Sequence, residues 1–117
     1  MKSVGERIME KLDDGPLLIQ DVLHFSRSKK DKFYHITGVL RKLKSEDKLR
    51  FAKIDRTLYG WEIVVIFKDS QRKEAWEMII KRSKWGDLKL PREKYSRIAR
   101  MICPENIAYV RKGVTVI

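Results

Sequence analysis

Ser26-Arg27-Ser28-Lys29-Lys30-Asp31-Lys32-Phe33-Tyr34-His35-Ile36-Thr37-Gly38-Val39-Leu40-Arg41-Lys42-Leu43-Lys44 is the stretch on which the reading of this chain turns. At about 100° per residue, Phe33, Ile36, Val39, Leu40 and Leu43 fall on one stripe. Lys30, Tyr34, His35, Gly38, Arg41 and Lys42 fall on the other side. The pattern predicts an amphipathic helix. Ser28 with Asp31 three residues later is a short-armed capping box, and a carboxylate in the first turn suits the helix dipole, so the helix is expected to begin near Lys29. Its wet face combines cations, one aromatic ring, and the small residues Thr37 and Gly38. Asp31 is the lone acid between Arg27 and Lys44, against seven cations. Surface helices often carry Lys and Arg, so the charge alone does not separate a solvated face from a binding one.

The flanking sequence narrows the choice. Val4, Ile8, Met9 and Leu12 share a helical face, and Asp13-Asp14-Gly15-Pro16 halts that segment, which predicts a first helix over about residues 3–13. Leu17, Leu18 and Ile19 form a brief extended run. Ile19, Val22, Leu23 and Phe25 supply the buried side of an expected second helix ending near Phe25, with a turn at residues 26–28. After the polar turn Ser45-Glu46-Asp47-Lys48 the period changes: Leu49-Arg50-Phe51-Ala52-Lys53-Ile54 alternates, and Trp61-Glu62-Ile63-Val64-Val65-Ile66-Phe67 is rich in β-branched and aromatic residues. Joined through residues 55–60, the two runs predict a hairpin with Lys53 and Arg56 at or near its tip.

Helix, short strand, helix, turn, basic helix and hairpin, in that order, resemble the winged helix-turn-helix family of DNA-binding proteins over residues 3–68. The likeness is carried by Gly15-Pro16-Leu17-Leu18-Ile19-Gln20-Asp21-Val22-Leu23, by Val39-Leu40-Arg41-Lys42-Leu43, and by Leu49-Arg50-Phe51. The resemblance implies an α+β fold, with a winged-helix domain at 1–68 followed by a helical and β extension at 69–117. It also implies that the third helix lies in the major groove and that the hairpin reaches for phosphate or the minor groove. Lys29, Lys30, Tyr34, His35, Thr37, Arg41, Lys42, Lys53 and Arg56 are then the expected DNA-binding residues. Read by their chemistry alone, Lys30, Tyr34, Arg41 and Lys42 reach phosphates, Arg41 or Lys30 reads guanine edges, and Thr37 with Gly38 leaves room for close approach. Tyr34 covering the neighbouring turn, and His35 as a solvated surface residue, stay open as plainer readings.

Composition agrees with an anionic partner. The net charge is +11 over 117 residues, and it is localised: residues 1–26 hold three cations and five acids, whereas 27–44 hold seven and one. A second basic region, ten cations against five acids, lies after Lys73. The single Cys103 forms no internal disulfide and, with only His24 and His35, supplies no zinc site. No apolar run approaches the roughly twenty residues of a membrane span, and the N-terminus lacks a signal-peptide core, so an intracellular, cytoplasmic protein without a membrane partner is expected. Gln20, Gln71 and Asn106 are the only side-chain amides. That bias is seen in thermophile proteins and fits an archaeal, viral or plasmid setting.

Beyond Asp69, Trp76, Ile79, Ile80 and Ser83 predict a helix over about residues 70–84, ended at Trp85-Gly86-Asp87. Leu88-Lys89-Leu90 reads as a short strand. Pro91 reads as a first helical residue, with Tyr95, Ile98, Ala99 and Ile102 on one stripe and Lys94, Arg97 and Arg100 outside it. Residues 107–110 and 114–117 flank Arg111-Lys112-Gly113 as a terminal β-hairpin. These apolar faces either pack on the first domain or make a homodimer, with Trp76, Ile80, Ile98, Ile102 and the edge of a terminal strand Val114 to Ile117 as the contact.

Catalytic signals are poor. Glu46-Asp47-Lys48 has the Glu-x-Lys spacing of metal-dependent nucleases, with Asp13, Asp14 or Asp21 upstream, but it falls in a turn that the fold requires. No phosphate loop, metal-ligand spacing or nucleophilic triad stands out, so no enzyme activity, metal or cofactor is expected. The expected function is sequence-specific binding of double-stranded DNA as a transcriptional regulator. The alternatives are a winged-helix protein–protein module and a small nuclease or replication factor.

Overall fold

The first helix, α1 (Val4–Leu12), starts at Ser3, whose hydroxyl accepts the Glu6 amide proton at 3.1 Å while its own proton goes to the Glu6 carboxylate. Val4, Ile8 and Leu12 form its buried stripe. Gly15, at φ +144°, turns the chain into the two-residue strand β1 (Leu17–Leu18). The computed structural model describes residues 2–57, 59–86 and 88–102.

Between β1 and the basic helix the expected second helix is replaced by two 3-10 turns, Ile19–Asp21 and Leu23–Phe25. Two effects account for the difference. Seven residues are too few for a stable α-helix without strong packing. Asp21 also turns its carboxylate away from a helical ladder, accepting from the Leu18 amide at 2.9 Å and from Arg82 at 2.7 Å. Ile19 and Val22 are buried all the same.

Helix α2 (Lys32–Ser45) is followed by strands β2 (Arg50–Arg56) and β3 (Glu62–Phe67). The sheet is antiparallel in the order β1-β3-β2, with Leu17 opposite Ile66 and Phe51 also opposite Ile66 on the other side. β3 is the central strand and is buried from Ile63 to Phe67. Neighbouring side chains on a strand point to opposite faces, so its unbroken apolar run means that both faces are covered.

One face belongs to the first half of the chain. Val64 and Ile66 pack with Val4, Ile8 and Leu12 of α1 and with Ile36, Leu40 and Leu43 of α2. The other face takes the second half. Ala52, Ile54, Ile63, Val65 and Phe67 pack against Ala75, Trp76, Ile79 and Ile80 of α3 (Arg72–Trp85) and Ile98, Ala99 and Ile102 of α4 (Tyr95–Ile102). Trp76 meets Tyr95 edge to face at 6.0 Å, and the Tyr95 hydroxyl bonds Ser83 at 3.0 Å. The fold class is α+β, with four α-helices and one three-stranded sheet among the described residues.

Three expectations for the second half change. Residues 88–90 form no strand; Leu88 is buried in the α3/α4 core as a single anchor. Pro91 precedes a 3-10 turn, Arg92–Lys94, rather than opening α4 itself. Trp76, Ile80, Ile98 and Ile102, expected at a dimer contact, are at most 2% exposed inside one chain, so that apolar surface is not free for a second copy. Cys103 and the expected terminal hairpin lie outside the described residues.

The layering predicts the behaviour of a chain ending at Lys68. Ala52, Ile54, Ile63, Val65 and Phe67 would be bare on one face. At about 1.5–3 kcal/mol for each large apolar side chain, the missing burial is comparable to a total stability of roughly 5–15 kcal/mol. We expect the truncated chain to melt without cooperativity in circular dichroism and to bind a hydrophobic dye. A sharp, dye-free transition would show instead that the first half folds alone.

Candidate nucleic-acid interface

A relay of short polar side chains sets where α2 begins. The Ser26 hydroxyl accepts the Ser28 amide proton at 3.1 Å and shares a proton with His35 Nδ1 at 2.7 Å. Ser28 Oγ accepts from the Asp31 amide at 3.2 Å, and Asp31 Oδ1 accepts from the Tyr34 amide at 2.9 Å. Asp31, not Ser28, is therefore the N-cap, and the helix starts at Lys32, three residues later than the spacing predicts. Lys29 and Lys30 lie on the turn leading into the helix. Lys32 joins them at its first position.

The buried stripe of α2 is Ile36, Leu40 and Leu43, with Phe33 and Val39 half-buried. The opposite side exposes Tyr34, 74% accessible, with Gly38, Arg41 and Lys42. His35 and Thr37 sit at the margin, half-buried. His35 is held by Ser26, and the Thr37 hydroxyl donates back to the Phe33 carbonyl at 2.6 Å. A Cβ on Gly38 would meet no atom within 4 Å. The helix therefore carries the cost of a mid-helix glycine, about 1 kcal/mol relative to alanine, with no packing contact among the described residues to explain it.

Charge is divided unevenly over the molecule. Among the described residues no carboxylate pairs with Lys29, Lys30, Lys32, Arg41 or Lys42. The one nearby acid, Asp31, is occupied as the cap. Three of these lysines stand at the positive end of the helix dipole, where cations are disfavoured. Several cations elsewhere find partners: Lys2 with Glu10, Lys68 with Asp13, Arg50 with Asp47 and Arg72 with Asp69. The exposed Lys73, Lys81, Lys84, Lys89, Arg92 and Arg100 of the second half also lack a carboxylate partner among the described residues, but they are spread over two helices and a loop with Glu74, Glu77 and Glu93 among them.

The hairpin is tied to both halves. β2 runs to Arg56, opposite Glu62, and the register shifts between Lys53 and Asp55, so that Ile54 bulges. Lys53 consequently sits in mid-strand opposite Val64, away from the tip where the pattern predicts it. Lys53 pairs with Glu62 at 3.0 Å, and Arg56 lies 3.9 Å from the same carboxylate. Both expected hairpin cations thus share one counter-ion, a cross-strand contact that depends on the register. α4 and the turn before it grip the bulge: Arg97 donates to the Ile54 carbonyl at 2.9 Å, and Lys94 to Asp55 Oδ1 at 2.6 Å. On the other side, Trp61 at the loop meets Phe33 of α2 edge-on at 6.3 Å.

Carboxylates do not converge. Glu46 lies beside Lys48 at 3.7 Å, Asp13 is paired with Lys68, and Asp21 with Arg82. Among the described residues no three His, Cys, Asp or Glu side chains are grouped to hold a metal ion, and no helix is long and apolar enough to cross a membrane. Lys32 at the start of α2 and the hairpin-loop residues Tyr59 and Trp61 are exposed and carry no signal in the helical apolar periodicity. An aromatic ring on each side of Gly60 in a turn is the only mark of the last two. Compared with protein-family models, with curated proteins and with solved structures, the chain matches none.

The Asp55–Lys94 contact has a pH consequence. Burial opposes ionisation of Asp55, but the Lys94 hydrogen bond, the Arg56 backbone amide and the charges of Lys94 and Arg97 outweigh it, holding the carboxyl below its usual range. A depressed folded value contributes stability above the unfolded carboxylate's pKa of about 3.9, and the contribution disappears as pH falls through the folded value. We expect Lys94→Met to cost about 1–3 kcal/mol at neutral pH, the range for a hydrogen bond to a charged group. Urea melts should show that difference beginning to shrink below about pH 4, where the unfolded carboxyl protonates, and disappearing once pH passes below the lower folded value. A cost that does not vary with pH would assign it to packing of the Lys94 stem.

Proposed function

We propose that this chain binds double-stranded DNA as a winged-helix-type transcriptional regulator, with α2 in the major groove and the β2–β3 hairpin as the wing. One observation carries the reading: the exposed side of α2 and the turn before it hold Lys29, Lys30, Lys32, Arg41 and Lys42 without a carboxylate partner among the described residues. A cationic helix face opposite a buried stripe suits a polyanion whose groove admits one helix. Lys29, Lys30, Lys32 and Lys42 supply phosphate contacts, Tyr34 adds a hydroxyl, and Arg41 has the fork that fits a guanine edge. Lys53 and Arg56 serve the flanking backbone once Glu62 shares them with phosphate.

Lys30→Ala with Arg41→Ala should weaken duplex binding at least about tenfold, since a base or phosphate contact of this kind is worth roughly 1–3 kcal/mol. The dependence of log affinity on log salt should flatten by about 0.9 for each phosphate that is no longer neutralised. Titration of a labelled duplex at several salt concentrations measures both. Full affinity in a folded double variant would remove α2 from the interface.

Gly38 separates binding from folding, because the two respond in opposite directions. Gly38→Ala has room for its methyl group and should raise stability by up to about 1 kcal/mol. The same methyl group stands where DNA approaches α2, so affinity should fall severalfold. A variant that melts higher and binds equally well would place the duplex elsewhere.

A further inference from the structure

The loop of the β2–β3 hairpin holds two large aromatic rings in water. Tyr59 is 90% exposed and Trp61 is 61% exposed, the latter touched by the edge of Phe33. The loop that carries them is closed by its own hydrogen bonds. The Thr57 amide donates to the Trp61 carbonyl at 2.8 Å, the Trp61 amide to Thr57 Oγ1 at 3.1 Å, and the Gly60 amide to the Thr57 carbonyl at 3.0 Å. Gly60 sits at φ +86°, a conformation that glycine adopts without strain. Tyr59 and Trp61 are thus carried between residues that hydrogen bonds tie together, Thr57 with Gly60 and Trp61.

Charged groups of both signs stand beside Trp61, with Arg56, Lys89 and Lys94 lining the groove next to it together with Asp55 and Glu62. Phe33, against which Trp61 stands, follows Lys32 in α2, and the turn with Lys29 and Lys30 leads into it. Behind Trp61 an open groove of about 750 Å³ runs between the hairpin and residues 88–94, walled by Leu23, Phe33, Ile63, Leu88 and Pro91. Exposed aromatic faces beside cations match what a single nucleotide strand offers, because unpaired bases have free π faces while their phosphates follow the positive charge. A closed duplex offers little to such rings, since its bases are stacked on one another and show only their edges in the grooves.

We infer that the hairpin end is a stacking platform for unpaired bases, so that the DNA this protein takes is a duplex opening into a single strand. The duplex lies on α2, and the strand crosses Tyr59 and Trp61 toward the groove behind them. This rests on the DNA-binding reading above and narrows its substrate to a junction.

The test uses the full chain and three probes at one salt concentration: a blunt duplex, the same duplex with a thymidine tail, and the same duplex with an abasic tail of equal length. Stacking predicts that the thymidine tail raises affinity about tenfold over the blunt duplex. The abasic tail, with the same phosphates and no bases, should give little of that increase. Tyr59→Ala should remove several-fold of the increase, a larger loss than any it causes in blunt-duplex affinity, and its side chain is so exposed that folding is not at stake. Adding Trp61→Ala should remove the rest. In a Trp85→Phe background, with Trp76 buried, Trp61 fluorescence should be quenched by the thymidine-tailed probe and not by the blunt one. Equal binding of blunt and thymidine-tailed probes, or an abasic tail as effective as a thymidine tail, overturns the platform while leaving duplex binding in place. Absence of binding to any of the three overturns the DNA-binding reading itself.

Discussion

Every side chain of β3 from Ile63 to Phe67 is buried, and because neighbours along a strand point to opposite faces, both sides of the sheet have to be covered. The rest of the architecture follows from that requirement. α1 and α2 cover Val64 and Ile66; α3 and α4 cover Ile63, Val65 and Phe67. The buried stripe of α2 is fixed against the sheet, which fixes in turn the side that faces outward, with Tyr34, Gly38, Arg41 and Lys42. Orientation of the cationic face is therefore a product of core packing and needs no polar contact of its own.

Charge pairing repeats the same division of labour. Where cations hold elements together they have definite acceptors: Arg82 on Asp21 joins α3 to the turn after β1, and Lys94 with Arg97 joins α4 and the turn before it to the hairpin. At the start of α2, Lys29, Lys30 and Lys32 lie at a helix end that repels them and next to an acid already used as a cap. Such an arrangement weakens the isolated fold slightly, and it leaves charge available to a polyanion. The pairs made by Arg82 and Lys94 show that a partner is within reach where a cation holds elements together.

Most of the helices and the long strands were legible in the sequence because their apolar spacing is set by burial against one neighbouring layer. Val4, Ile8 and Leu12 in α1, Ile36, Leu40 and Leu43 in α2, and Ile98, Ala99 and Ile102 in α4 all keep helical spacing and all are buried. Failures fell where a distant partner decides. Residues 19–25 have helical spacing, yet Asp21 answers to Leu18 and to Arg82, far along the chain. The start of α2 was displaced because Ser28 and Asp31 are both good caps and act in series, so the later one defines the helix. Within the candidate site, the exposed face of α2 was readable from its period. The Lys53–Glu62 pairing was not, because it depends on a bulge at Ile54 that alternation alone does not reveal.

The pairing of β1 with β3 also fixes the order in which the chain can be assembled. Leu17 and Leu18 find their strand partners in Ile66 and Val65, beyond the whole of α2 and β2. During synthesis, α1 and α2 therefore emerge with only each other to cover their apolar stripes, and the sheet that should lie beneath them is still inside the ribosome. Long-range strand pairing of this kind meets its loop-closure entropy before any favourable contact offsets it. Once Phe67 is free, one face of the sheet closes at once, but the other stays greasy until α3 and α4 follow. A nascent chain paused between β3 and α3 is thus the stage most in need of a chaperone.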